Sequence, residues 1–287
     1  MEAIVVRAHG KINLTLDVLK RRCDGYHEIR SIMQSIALAD TVEVGKADAG
    51  IDLKVNINFA KPEDNLAYQA AKLFFAAAKI EGGASIRLEK QLPLAAGLAG
   101  GSADAAAVLW ALNYLHGEPF VLEELQSLGK RLGADVPFCL QGGTQLAEGI
   151  GEKLTPLPQI PEYHLVLVKP EQSISTKQVY QALEPKHFGD NYSHRMVQAL
   201  QHQQDFTDCF GNVMEQVSIA FVPEIKLWRE RMLDAGASAS FMSGSGPTTV
   251  GVFTSLVKAE QFIRNWEHQC WMTVTKPYNH GISVVKE

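Results

Sequence analysis

Between Leu92 and Ala107 the chain reads Leu-Pro-Leu-Ala-Ala-Gly-Leu-Ala-Gly-Gly-Ser-Ala-Asp-Ala-Ala-Ala. Small side chains let a ligand come close to the backbone. Free N–H groups at a helix start, together with the positive end of its dipole, favour phosphate. Ser102 would cap a helix beginning near it, turn its hydroxyl to a magnesium ion, or do both. The segment is not a Walker A loop, since no Gly-Lys-Ser/Thr follows, and the Gly-x-Gly-x-x-Gly spacing is absent. A tight strand-to-helix connection ahead of a core helix with Val108, Leu109, Leu112 and Leu115 accounts for the same residues without any ligand. Two other polar groups stand out. Asp135, ahead of Val136-Pro137-Phe138, reads as a helix N-cap. Lys11 and Asn13, two residues apart, share one face of a strand.

The elements that must hold these groups are legible in outline. Ile12, Leu14, Leu16 and Val18 alternate with Asn13, Thr15 and Asp17, which predicts a half-buried strand with a polar face. Ala3–Ala8 predicts a first strand. Asp24-Gly25 marks a turn, and Ile29–Leu38 and Thr41–Val44 predict a return segment and a further strand. Ile51–Phe59 alternates again, and Asp64 or Asn65 would cap a helix running to about Ile80. Ser85–Lys90 predicts the strand that feeds the glycine-rich segment. Beyond it follow a helix with Leu122, Leu125, Leu128 and Leu132, and a glycine-punctuated hairpin over Gly142–Gly151. Pro156, Pro158 and Pro161 suggest a boundary between a domain of residues 1–155 and one of 156–287. His164–Val168 is a compact apolar strand, and Ser240–Thr254 reads strand, Ser-Gly-Ser-Gly-Pro turn, strand. Interleaved strands and helices in both halves point to an α/β or α+β enzyme.

Composition narrows the partners. The 287 residues carry 27 Lys+Arg against 32 Asp+Glu, a net charge of −5, with a pI near 6.0. No basic face for nucleic acid or an anionic membrane is expected from that balance, but a local positive pocket for an anionic small molecule is compatible with it. With 46% hydrophobic residues the chain can build a full core. Cys23, Cys139, Cys209 and Cys270 are too scattered for a zinc or redox motif, which suits a reducing cytoplasm. The start has no signal-peptide core, and Leu92–Leu115 is broken by Pro93, glycines and Asp104, so no membrane span is expected.

Pro93-Leu-Ala-Ala-Gly-Leu-Ala-Gly-Gly-Ser-Ala resembles the phosphate-binding motif of the GHMP kinases. Within that superfamily the resemblance is closest to the 4-diphosphocytidyl-2-C-methyl-D-erythritol kinases of non-mevalonate isoprenoid and terpenoid biosynthesis. Gly10-Lys-Ile-Asn-Leu-Thr-Leu-Asp-Val with Arg22-Cys-Asp-Gly-Tyr-His-Glu is similar to their N-terminal signature. Gly133-Ala-Asp-Val-Pro-Phe with Ala147-Glu-Gly-Ile-Gly-Glu-Lys-Leu is similar to their central block, and Phe241-Met-Ser-Gly-Ser-Gly-Pro-Thr to the third GHMP motif. Many members carry glycine at the positions of Ala95 and Ala99, and serine at that of Ala103. The last departure removes one hydroxyl from the loop.

The resemblance implies an α+β fold of the α/β sandwich type, with two domains, a left-handed β-α-β unit and an active-site cleft between the domains. It implies a cytoplasmic transferase with ATP as co-substrate and Mg2+ carried mainly by ATP, acting on a small molecule with a cytidine diphosphate group. Asp135 would be the base and Lys11 its neighbour, stabilising developing negative charge. Pro93, Leu94, Ala95, Ala96, Gly97, Leu98, Ala99, Gly100, Gly101, Ser102 and Ala103 would bind ATP, with Asn65 and Asn113 near its adenosine. Asn65 is equally suited to a helix cap. Asn13, Tyr26, His27, Thr176 and Tyr180 would bind the substrate, the aromatics holding cytosine by stacking and edge contacts. No acidic cluster singles out a metal ligand. The alternatives are a GHMP kinase for another small alcohol, of homoserine or mevalonate type, and a non-catalytic nucleotide-binding relic.

Overall fold

The computed structural model describes residues 2–57, 61–189 and 191–285. Two long strands dominate it. The alternating segment lies inside β1 (Ala3–Arg21), and the two segments expected after the Asp24-Gly25 turn form one strand, β2 (His27–Ala47). They pair antiparallel along nearly their whole length, with register shifts between His9 and Lys11, Asn13 and Thr15, and Val18 and Lys20. Such shifts let a long ribbon bend instead of ending. β3 (Gly50–Val55) and β4 (Gly83–Glu89) are parallel neighbours joined through α1 (Leu66–Ala78). The expected strand to Phe59 stops at Val55; residues 58–60 lie outside the described residues.

α2 (Gly100–Leu115) begins at the glycine-rich segment and is followed by α3 (Leu122–Lys130) and α4 (Val136–Gln141). β5 (Thr144–Gly149) and β6 (Lys153–Pro156) form a hairpin that turns at residues 150–152, later than the glycine pattern suggests. The first sheet runs β12-β1-β2-β4-β3, with β5 on β2 and β6 on β5; β12 is Ile282–Val284. Helices α1 and α2 cover it, burying Phe74, Val108, Leu109 and Leu112 against Val42, Val44, Ile86 and Leu88. The second sheet runs β11-β7-β10-β9, all antiparallel: β7 is His164–Lys169, β9 Ala239–Met242, β10 Thr249–Phe253 and β11 Trp271–Thr275. The expected division at 155/156 falls at the end of β6. Two pieces beyond it, β12 and β8 (Gly211–Asn212), hydrogen-bond back to β1.

The polar face expected of β1 is not solvated. Lys11, Asn13, Thr15 and Asp17 are as buried as the apolar residues between them. The second half of the chain packs over them and supplies partners: Thr15 Oγ1 lies 2.8 Å from Ser193 Oγ, and Asp17 accepts the N–H groups of Asn191, Tyr192 and Ser193 at the start of α6 (Ser193–Gln201). Buried polar groups that keep their hydrogen bonds escape most of the desolvation cost. Ile12, Leu14, Ile32, Ile36, Leu92 and Leu98 share one core with Leu165, Leu167, Phe241 and Val250 of the second sheet. That shared core holds the two sheets together.

His9 ties β12 to this arrangement. Its ring lies 3.1 Å from the Ile36 carbonyl and 2.8 Å from Ser283 Oγ, and stacks on Tyr278 at 4.1 Å. Burial pushes its pKa down to about 4. Above pH 6.5 the ring is neutral folded or unfolded, so its contribution is complete. As pH falls from 6.5 to about 4, the unfolded chain gains a proton that the folded one refuses, and stability drops. Denaturant titrations should therefore show about 3 kcal/mol lost across that window on account of His9. A His9→Gln variant should lose correspondingly less, and an unchanged pH slope would contradict the assignment.

Candidate functional site

One cleft of about 1020 Å³ collects most of the residues singled out by sequence. Its floor is the glycine-rich segment, from Pro93 to Ser102. Ala95, Gly97 and Ala99 have φ of 48°, 74° and 57°. That left-handed backbone is where glycine is least costly, so the two alanines hold a mildly strained turn. Ala99 occupies the N-cap position of α2, which places Ser102 inside the first turn; it is not the cap, and its side chain lines the cleft. Gly97 permits a close approach. A Cβ there would lie 2.5 Å from the Ser243 carbonyl oxygen.

Ser243 Oγ accepts the Asn13 N–H at 3.2 Å and donates to the Gly97 carbonyl at 3.0 Å. The Lys11 N–H donates to the Leu98 carbonyl at 3.0 Å. β1, the glycine-rich segment and the turn after β9 are thus bonded together at one point. Asn212 fixes that turn by donating to the Met242 and Gly244 carbonyls at 2.9 and 2.7 Å.

Lys11 is buried, its ammonium donating to Asn13 Oδ1 at 2.7 Å. It lies 3.7 Å from Asp135 Oδ2. Asn13 in turn donates to Ser31 Oγ at 2.7 Å. Asp135 sits at the N-cap position of α4 but makes no side-chain cap hydrogen bond there. Its carboxylate turns to Lys11 and the cleft.

At the other end of the cleft Tyr26 is 61% exposed, while His27 is buried. His27 stacks on Tyr180 at 5.2 Å, with the edge of Phe188 at 5.8 Å. Burial, with a smaller contribution from Arg21, lowers the His27 pKa, which keeps the ring neutral with one donor and one acceptor nitrogen. Burial raises the Tyr180 pKa, with Asp135 adding to it. Tyr180 and Thr176 belong to α5 (Thr176–Ala182), and Thr176 Oγ1 lies 2.8 Å from Ser245 Oγ.

Three expected residues do not line the cleft. Ala103 is fully buried in the core, and its N–H is taken by the Ala99 carbonyl at 2.9 Å, so it offers no group to a phosphate. Asn65 is the cap of α1, accepting the Ala67 N–H at 2.9 Å. Asn113 clamps a loop through both backbone groups of Phe120, at 2.9 and 3.0 Å. Conversely, sequence reading passed over Ser243, Ser245, Arg21, Lys90 and Lys177. Only the Ser-Gly-Ser-Gly turn pointed toward any of them. With Lys90 paired to buried carboxylates behind the loop, Lys11, Arg21 and Lys177 against Asp24 and Asp135 still leave the lining cationic in a chain of net charge −5. Among the described residues, no group of three His, Cys, Asp or Glu side chains gathers to hold a metal, and no helix is long and apolar enough to cross a membrane.

The strain at the floor is open to test by urea unfolding. Gly97→Ala should cost more than about 2 kcal/mol, through its positive φ and the clash with Ser243. Ala99→Gly should leave stability unchanged or raise it by up to about 1 kcal/mol, because relief of strain offsets the extra freedom of the unfolded chain. Equal losses in both variants would contradict this reading of the turn.

Comparison with known proteins bears on the whole chain. Residues 65–143 match the family described as GHMP kinases N terminal domain, and residues 194–270 match GHMP kinases C terminal. A 4-diphosphocytidyl-2-C-methyl-D-erythritol kinase of Acetivibrio thermocellus is 43% identical over 284 residues, covering 96% of this chain and 100% of that protein. One from Pelotomaculum thermopropionicum is 45% identical over 266 residues, covering 90% and 92%. A crystal structure of 4-(cytidine 5'-diphospho)-2C-methyl-D-erythritol kinase superposes with a TM-score of 0.84 at 34% identity, over 96% of this chain and 99% of that one. A homoserine kinase from Cytophaga hutchinsonii, at 21% identity and a TM-score of 0.77 over 99% and 98%, shares the fold. With both family regions matched and identity above 40% across nearly full length, the chain belongs to the GHMP kinases and, among them, to the 4-diphosphocytidyl-2-C-methyl-D-erythritol kinase family.

Proposed function

We propose that the protein transfers the γ-phosphoryl group of ATP to the 2-hydroxyl of 4-diphosphocytidyl-2-C-methyl-D-erythritol, releasing ADP and the 2-phosphate without a phosphoenzyme. The observation that carries this reading is the meeting of Lys11 and Asp135 at 3.7 Å, in one cleft with the glycine-rich floor and the Tyr26–His27–Tyr180 end. The hydroxyl oxygen attacks the γ-phosphorus, the bond to the β-phosphate bridging oxygen breaks, and the hydroxyl proton passes to Asp135. Lys11 stabilises the negative charge that develops as the proton leaves. Asn13, held by Lys11 and Ser31, orients the methylerythritol hydroxyls. The N–H groups at the start of α2 and the loop from Pro93 to Ser102 receive the phosphates.

Tyr26 stacks on cytosine, neutral His27 reads its edge, and Tyr180 and Thr176 complete that end of the cleft. Magnesium arriving with ATP would supply charge neutralisation at the phosphates, and the Ser102 hydroxyl is the protein oxygen of the loop that would face it. We assign residues 1–155 to the ATP-binding domain and 156–287 to the C-terminal domain. GHMP kinases also serve homoserine and mevalonate, and a fold alone does not choose among alcohols. The choice here rests on the aromatic end of the cleft.

Steady-state kinetics tests both halves. Asp135→Asn should lower kcat by about 10²–10⁴-fold with ATP affinity nearly intact. A folded variant within about threefold of wild type would return Asp135 to a purely local role at the start of α4. For the base, Tyr26→Ala should lose about 1–3 kcal/mol in kcat/KM. Wild type should prefer the cytidine substrate to its uridine analogue, and equal use of the two would contradict edge reading by His27.

A further inference from the structure

The densest cluster of buried charge outside the groups given roles above lies directly beneath the glycine-rich floor. Asp40, on β2, is fully buried. Its Oδ1 accepts the N–H groups of Gln91 at 2.5 Å and Leu92 at 2.8 Å. Its Oδ2 accepts from the Lys90 ammonium, and the same ammonium donates to Asp104 Oδ2 at 2.5 Å. Residues 90–92 lead into the loop, and Asp104 stands in the first turns of α2, just past the loop's exit. One ammonium therefore links the loop's entrance to its exit.

We infer that Asp40, Lys90 and Asp104 form a clasp that positions the nucleotide loop, holding both ends of residues 93–99 so that the first N–H groups of α2 are in place before ATP arrives. The inference rests on the function proposed above. Its route to the ligand is short: a Cβ on Gly100, the first residue of α2, would lie 3.3 Å from Leu92 Cβ, 3.4 Å from Lys90 Nζ and 3.7 Å from Asp40 Oδ2. A shift in the clasp would move the residue whose backbone opens the helix. Fixing a loop in its binding geometry beforehand removes an ordering cost from association.

The cluster is poorly suited to adding stability alone. Two carboxylates share one ammonium in a largely buried site, and Asp104 Oδ1 is buried with no hydrogen-bond partner. Burial and the nearby Asp40 raise the Asp104 pKa against the pull of Lys90. Buried ion clusters often gain little over apolar packing, whereas removing one member leaves an uncompensated charge. What such a cluster supplies is a fixed geometry.

Lys90 itself lines the cleft, so the test uses Asp104 and Asp40, which do not. ATP binding is followed by calorimetry, and KM is measured for ATP and for the alcohol. Asp104→Ala should weaken ATP binding and raise the ATP KM by about tenfold or more, with the alcohol KM within about twofold. Asp104→Asn keeps an acceptor for Lys90 and should restore ATP affinity to within about threefold of wild type. Should the alanine variant fail to fold, Asp40→Asn, which retains the Oδ1 acceptor for Gln91 and Leu92, should still weaken ATP binding by about threefold or more. Wild-type ATP affinity in the folded variants, or equal rises in both KM values, would overturn the clasp while leaving the proposed function intact. A wild-type protein that binds no ATP would overturn the function and the clasp together.

Discussion

At Gly97 the backbone of the glycine-rich loop passes so close to the Ser243 carbonyl that no side chain fits between them. The Ser243 hydroxyl then bridges that loop to β1. This contact brings together segments almost 150 residues apart, and the cleft exists because of it. If the turn after β9 stood farther away, Lys11 and Asn13 would open to water on an ordinary amphipathic strand. The loop would then be only a strand-to-helix connection. Asn212 and the shared apolar core around Leu92, Leu98 and Phe241 keep the turn where it is.

The same closure explains the electrostatics. A chain of net charge −5 presents a cleft with Lys11, Arg21 and Lys177 in its lining, because the acidic groups nearby are committed elsewhere. Asp17 receives the N–H groups at the start of α6, and Asp40 and Asp104 are bound to Lys90. Asp24 accepts from Arg22, leaving Asp135, beside Lys11, as the carboxylate turned into the cleft. On the proposed mechanism this is the carboxylate positioned to receive the proton of the attacking alcohol.

Local pattern made some of this legible and long-range packing the rest. The loop could be read because small residues before a helix have a direct physical meaning. Residues 11 and 13 share a face because the strand period is two, and they do so here. Burial of that face could not be read, since it depends on Ser193, Ser243 and residues 191–192, which come from the other half of the chain. The joining of two expected strands into β2 has the same origin: β1, β4 and β5 all pair along it. Asp135 shows the limit of local rules, since its position is that of a cap while its side chain faces Lys11. The resemblance set Asn113 and Ala103 near ATP; in the structure Asn113 bonds Phe120 and Ala103 is buried in the core, partners that local pattern did not announce. Asp40 and Lys90, fifty residues apart, carried no local signal at all.

The most direct test of the central claim is product identification. Wild-type protein, ATP and 4-diphosphocytidyl-2-C-methyl-D-erythritol would be incubated together and followed by phosphorus NMR. The expected result is ADP and a new phosphate monoester in equal amounts, with the ester on the tertiary 2-hydroxyl. ATP left intact, phosphate on another hydroxyl, or equal transfer to homoserine or mevalonate would contradict it.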